Sequence, residues 1–234
     1  MLRDGLIPGL GDRPGLRLGI MGGVFDPVHI AHLVTAQEAL DQFGLDQVVF
    51  MPSGDPPHKD RCPAPGDFRY VLVCSATAGN PRFSVSRFEI DQPGASYTVD
   101  TLEHLSAIVP PRTEMFFITG ADAVLEILKW KNPARVLELS AFVAATRPGY
   151  DLSRLSGLLE ELRTSTTGLV PEARVKTMEV PALAISSSMI RERLAAGRSV
   201  RYLVPDPVVQ LIEKSGLYAG RRPPSPEGSN VRCG

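Results

Sequence analysis

The chain has 234 residues, enough for one large α/β domain with a well-buried core. With 43% hydrophobic and 22% charged residues and a net charge of −1, it excludes a broad nucleic-acid or membrane surface, so any anion site must be local. Cys62, Cys74 and Cys233 form no CxxC pair, which excludes a disulfide framework and a zinc cage. No secretory h-region and no membrane-length apolar run are present, so a cytoplasmic protein with reduced thiols is expected.

Residues 1–15, rich in glycine and proline, read as a flexible arm. The run from Leu16 to Met21 predicts a buried strand near 16–22, with Gly22-Gly23 supplying a sharp turn at its end. Asp26 followed by Pro27 reads as a helix cap and first helical residue, opening a helix near 28–43. His29 and His32 then fall three apart on one face of the first turn, beside free backbone N–H groups. The positive end of that helix can hold a polyphosphate, with both imidazoles donating to it.

Further strands are predicted near 47–52, 83–85, 114–119, 141–146 and 174–178. Helices are predicted near 67–79, 98–108, 121–129, 133–139, 151–163, 187–196 and 206–215. The alternation gives βαβ units, and hence a Rossmann-like doubly wound parallel sheet with flanking helices and a small C-terminal helical portion. One domain spans 16–219, without internal repeats, and 220–234 reads as a disordered tail. The long, proline-rich connection from Ser53 to Gly66 follows a strand, where such loops usually carry function. The strands before Gly22 and Gly120 are the expected walls of the ligand crevice.

A second phosphate candidate is Ile185-Ser186-Ser187-Ser188-Met189-Ile190-Arg191. Serines at a helix start offer hydroxyl and N–H donors, Arg191 lies near that end, and Arg193 points to the opposite side. Alone, the segment reads as a plain serine cap; the His29/His32 turn in the same chain shifts the balance to an anion site. Trp130 precedes Asn132-Pro133, a second cap-plus-proline start, so it falls in a loop, although a lone tryptophan is more often core. Asp122 can cap its helix or contact ribose or magnesium. His58 and Lys59 are cations suited to a phosphate, Arg147 closes a strand end, and His104 reads as structural.

GGVFDPVHIAH with ISSSMIR resembles the nucleotidyltransferase superfamily with HxGH-type and SSTxxR-type motifs. Pro56-Pro57-His58-Lys59, Gly120-Ala121-Asp122 followed by Trp130, and Arg147-Pro148-Gly149-Tyr150 narrow the resemblance to bacterial nicotinate-nucleotide adenylyltransferases. It runs from Leu18 to Tyr218. The resemblance implies attack of the 5′-phosphate of nicotinate mononucleotide on the α-phosphorus of ATP, giving deamido-NAD and pyrophosphate in NAD biosynthesis. It implies His29, His32 and Arg191 as catalytic groups, with Gly22, Gly23, Val24, Phe25, Ser187 and Ser188 completing the ATP site. His58, Lys59, Thr98, Asp122, Trp130, Lys131 and Arg147 would take the mononucleotide, Trp130 by stacking. Mg²⁺ would arrive with ATP, held by substrate oxygens and water and by no protein cage. A homo-oligomer is left open.

The chain departs from the family at Val24 and Ser188, where threonine is frequent, and at Ala31, where glycine is. None of these changes removes a charged group. The alternatives are nicotinamide mononucleotide or phosphopantetheine as acceptor, a cytidylyltransferase, half of a metal site at the two histidines, and a non-catalytic nucleotide sensor.

Overall fold

A computed structural model describes residues 14–54, 64–151, 153–165 and 174–219. The predicted tail, most of the predicted arm, His58, Lys59, Cys62 and Cys233 lie outside those residues.

Six strands form one sheet: β1 (Arg17–Gly23), β2 (Gln47–Pro52), β3 (Phe83–Val85), β4 (Glu114–Gly120), β5 (Ala141–Thr146) and β6 (Val175–Glu179). Their order is β3-β2-β1-β4-β5-β6 and every pairing is parallel. A parallel sheet needs cover on both faces, so its strands read as continuous apolar runs; all six residues of β2 are buried. The two-residue side-chain period sorts each run between two cores. Met21, Val48, Phe50, Phe116 and Val143 enter one core, while Ile20, Val49, Met51, Phe117 and Phe142 enter the other.

The first core is closed by α1 (Ile30–Gln42), α2 (Gly66–Thr77), α8 (Ser187–Ala195) and α9 (Asp206–Ser215), through residues such as Leu40, Leu72, Ile190 and Ile212. The second is closed by α4 (Thr98–Ile108), α6 (Pro133–Leu139) and α7 (Ser153–Ser165), through Leu102, Val136 and Leu158. Chain winding reverses between β1 and β4, which opens a crevice at their carboxyl ends.

Two helical expectations change. The stretch predicted as one helix over 121–129 is a short α5 (Ala121–Val124) followed by a 3₁₀ turn, Ile127–Lys129. Three-residue bonds, Lys129 N–H to Glu126 O and Trp130 N–H to Ile127 O, tighten the backbone and keep both Val124 and Ile127 buried. A four-residue α3 (Phe88–Asp91) lies where no helix was predicted; Phe88 stacks on His104 at 3.8 Å, which gives that histidine its structural role.

Candidate active site

The turn after β1 differs from its sequence reading. Gly22 and Gly23 still pair with Met51 and Pro52, so the strand runs through both glycines. Their value is close approach: a Cβ on Gly22 would lie 3.0 Å from the Phe117 ring, and one on Gly23 would lie 3.2 Å from the Phe25 ring. The chain turns at Phe25 instead, whose φ of 51° is left-handed, and the Asp26–Pro27 peptide is cis.

Asp26 does not cap α1. Its buried carboxylate is taken by the Tyr218 hydroxyl at 2.6 Å and the Ala64 N–H at 3.2 Å, so the helix starts at Ile30 and the extended His29 is its cap residue. The supply of free N–H groups is smaller than the sequence suggests. Ile30 donates to Leu203 O, because the chain before α9 packs over the start of α1, and His32 donates to His29 O within the first turn, each at 3.0 Å.

The two imidazoles stack with centroids 3.6 Å apart, and the Phe25 ring meets His32 edge-on at 5.0 Å. The His29 N–H donates to His32 Nδ1 at 3.2 Å. A neutral imidazole that accepts at Nδ1 carries its proton on Nε2, so His32 is fixed as an Nε2–H donor. Nδ1 of His29 is buried and faces the His32 backbone N–H across the first turn as in a capping box, but that N–H makes its hydrogen bond to His29 O. Burial lowers the His29 pKa to about 4. Burial, with the neighbouring His29 charge behind it, holds His32 well below its usual value. Both rings are therefore neutral at pH 7 without ligand.

The start of α8 docks on this turn. Ser186 caps the helix by accepting from Met189 N–H at 3.2 Å, and Ser187 Oγ donates to Pro27 O at 2.9 Å. Arg191 donates from Nη1 to Asp26 O at 2.7 Å and from Nη2 to Ser188 Oγ at 3.0 Å, while its Nε is buried without a partner. Arg193 turns away to Ser199 O. Beneath the turn, the fully buried Arg69 reaches Ala64 O and Val24 O at 2.8 Å and Gly54 O at 3.1 Å.

Asp26 in this role, Arg69 and Tyr218 were missed by sequence reasoning. For Arg69 a signal existed: it precedes Leu72 and Val73 by three and four residues, which puts an arginine on the buried face of α2. Tyr218 carried no comparable signal.

At the carboxyl ends of β1, β4 and β5 lies a cleft of about 260 Å³, lined by Gly22, Ala31, His32, Thr119, Gly120 and Arg147 among others. Of the expected residues it gathers Gly22, His32 and Arg147. Ser188 and Arg191 line a separate depression with Glu192 and Tyr218.

The residues expected at the pyridine end form another group. The half-buried Trp130 meets Phe117 at 5.9 Å and Phe142 at 5.6 Å, both edge-on. Phe117 is the ring that crosses Gly22, so a single aromatic side chain lies between Trp130 and the phosphate turn. Lys131 Nζ bonds Asp100 at 3.0 Å and sits 4.6 Å above the Tyr97 ring. Those contacts tie the Trp130 loop to the start of α4, where Thr98 is the first helical residue. Asp122 is exposed and accepts from the Tyr150 hydroxyl at 3.3 Å; it makes no capping bond.

Comparison with known proteins settles the family. A cytidylyltransferase-like family model matches residues 20–193, which include both phosphate motifs. A probable nicotinate-nucleotide adenylyltransferase of Mycobacterium avium is 50% identical over 206 residues, 88% of this chain and 93% of that protein. One from Thermoanaerobacter is 47% identical over 204 residues, 87% of this chain and 94% of that protein. The chain belongs to the nicotinate-nucleotide adenylyltransferases.

The activity of this family is adenylyl transfer in NAD biosynthesis. The fold agrees: the solved Plasmodium falciparum nicotinic acid mononucleotide adenylyltransferase complexed with APC superposes with a TM-score of 0.65 at 17% identity. It covers 87% of this chain and 97% of that one. Within this adenylyltransferase, the cleft between β1 and β4 is the place where the fold brings strand ends, the α1 terminus and the His32 imidazole together.

Proposed function

We propose that the cleft at β1 and β4 holds ATP against nicotinate mononucleotide, and that His29, His32 and Arg191 carry the transfer. The observation that supports this most is the stacked imidazole pair, with His32 held as an Nε2–H donor lining the cleft. A buried nitrogen without a protein partner, Arg191 Nε, adds to it, since such an atom in a site is suited to a ligand.

The attacking phosphate, with a second pKa near 6, is already mostly ionised at neutral pH. No general base is required, so the protein works by positioning and by charge stabilisation. His32 would donate from Nε2 to an oxygen of the α-phosphate, where negative charge builds in the pentacovalent transition state, and His29 supports that ring by stacking. Ser187, Ser188 and Arg191 would hold the β and γ phosphates, with Gly22, Gly23, Val24 and Phe25 shaping the turn.

Among the described residues no cluster of three His, Cys, Asp or Glu side chains forms a metal cage. The donors at the cleft are imidazole and guanidinium, a poor set for a hard cation. That fits Mg²⁺ carried on the triphosphate oxygens with water, as the ion prefers. When bound, it would supply charge neutralisation on the leaving pyrophosphate.

At the acceptor end, Trp130 would stack on the pyridine ring, with the Lys131 backbone N–H and Thr98 at its carboxylate. Arg147 and Asp122 would face the phosphate and ribose, and His58 and Lys59 are further phosphate ligands by resemblance. No helix among the described residues is long and apolar enough to cross a membrane. The test is pyrophosphate release with ATP and Mg²⁺, offering nicotinate mononucleotide, nicotinamide mononucleotide and phosphopantetheine in parallel. A strong preference for the nicotinate form is expected. Release only with phosphopantetheine overturns the acceptor assignment, and no release with any favours a sensor.

A further inference from the structure

The guanidinium assigned to the triphosphate has a buried carboxylate beside it, and yet the two form only a loose ion pair that does not close into a hydrogen bond. Asp26 is 4% exposed. Its Oδ2 stands 3.8 Å from Arg191 Nη1, outside hydrogen-bond reach, while the same nitrogen donates at 2.7 Å to the backbone oxygen of Asp26. A bidentate closure with the carboxylate would be the stronger arrangement for both groups. It would also consume the charge that an anion needs.

What keeps the carboxylate from closing comes from the opposite end of the described chain. Tyr218 lies two residues past Gly216, the residue that ends α9, and its own φ of 71° is left-handed, a conformation costly for a non-glycine residue. The tyrosine hydroxyl donates to Asp26 Oδ1 at 2.6 Å, where the Ala64 N–H also donates at 3.2 Å. Burial first, and the bond to Asp26 second, hold the phenol protonated, so the hydroxyl is a permanent donor. With Oδ1 held by two donors, Arg191 is oriented by neutral acceptors, the Asp26 carbonyl and Ser188 Oγ.

We propose that Tyr218 is a positioning residue for Arg191: by holding the Asp26 carboxylate at Oδ1, it keeps that carboxylate from capturing the guanidinium and leaves the guanidinium to the triphosphate. The proposal rests on the phosphate role given to Arg191. Without the hydroxyl, the carboxylate loses one of its two donors at Oδ1. Arg191, with the loose ion pair already in place, is a cation within reach beside the carbonyl-bound Arg69, and the pair should close at the expense of ATP.

The experiment compares Tyr218→Phe, Tyr218→Phe with Asp26→Asn, and Arg191→Ala in the full chain, by steady-state kinetics and by calorimetric titration with ATP. Tyr218→Phe should raise the ATP KM about tenfold, the scale of one hydrogen bond to a charged group, with the KM for nicotinate mononucleotide within about twofold. Adding Asp26→Asn removes the competing charge but keeps an oxygen for Ala64, and should return the ATP KM to within about twofold of the parent. An unchanged ATP KM in Tyr218→Phe overturns the proposal. So does a rise in both KM values that Asp26→Asn fails to rescue, which is the signature of a structural anchor alone. If Arg191→Ala binds ATP normally, the phosphate role falls and the proposal with it. If Arg191→Ala loses ATP while Tyr218→Phe does not, only the positioning role is lost.

Discussion

The two ends of the candidate site are built on different physical terms. At the phosphate end, His29, Asp26 and Arg69 are buried: His29 is stacked on His32, Asp26 is held by the Ala64 N–H and the Tyr218 hydroxyl, and Arg69 by three carbonyls. At the pyridine end, Asp122 is exposed, Lys131 is held by an exposed ion pair, and only the inner side of Trp130 touches the core. Surface pairs of the Lys131–Asp100 kind contribute little, about 0–1 kcal/mol. Desolvated donors, in contrast, act at full strength on a developing charge. On the proposed function, the phosphate end would be preorganised for the transition state, and the pyridine end would be adjustable and set ground-state affinity. Substitutions should lower kcat at the first and raise KM at the second.

The largest expected effect is at His32. Replacing it with alanine removes the Nε2 donor and should lower kcat/KM by about a thousandfold. The fold should survive at reduced stability: the variant loses the Nδ1 acceptor for the His29 backbone N–H, worth about 1 kcal/mol as a cap, together with the stack on His29 and the Phe25 edge contact. Single-turnover kinetics beside a thermal melt checks this. A folded variant with near-normal kcat would show that the half-buried His32 ring is packing only.

Acid should separate the two ends next. His29 titrates at about 4 in the folded chain against 6.5 in the unfolded one, and His32 is displaced in the same direction. Between those values the unfolded state binds protons that the folded state refuses. The imidazole contribution is thus complete above about pH 6.5 and is lost as the pH falls toward 4. Glu89 beneath α4 works in the opposite sense. Burial raises its pKa against the hydroxyl bonds from Thr101 and Ser96, so the folded state takes up its proton first and gains stability on acidification. Urea midpoints from pH 7 to 4.5 should fall in the parent chain and fall less when both histidines are replaced by asparagine. A parallel fall in that double variant would remove the imidazoles as the acid-sensitive element.

Much of this architecture was legible because a parallel sheet writes itself as apolar runs. Six strands were expected and six occur among the described residues, with boundaries within a residue or so; the inner strands are apolar runs buried on both faces, while the edge strand β6 buries only Val175 and Met178. The site was legible where chemistry and local period coincide, as at His29 and His32, whose three-residue spacing became a stacked pair. It was not legible where long-range partners decide. Asp26-Pro27 carries a local helix-start signal, but Tyr218, 192 residues away, and Ala64 claim the carboxylate, and the helix begins later. Gly22-Gly23 similarly suggests a turn, whereas the crowding of Phe117 and Phe25 explains the glycines without one. Short-range pattern predicts which residues are present at a site; which of their atoms remain available depends on contacts the pattern does not contain.

Trp130 is where the comparison can be made sharpest, because the ring has a core side and an open side. Its edge-on contacts with Phe117 and Phe142 account for a structural role by themselves. If the open side also stacks on the pyridine ring, Trp130→Ala should raise the KM for the mononucleotide about tenfold, the scale of one base–aromatic contact, while kcat changes little. Trp130→Phe retains a stacking face and should recover most of that affinity, although it leaves a void against Phe142. The two variants lose stability and affinity in different proportions, and the pair of measurements is therefore decisive. A KM that stays flat while the melting temperature drops would return Trp130 to the core. It would leave the Lys131 loop and Thr98 as the groups that hold the acceptor.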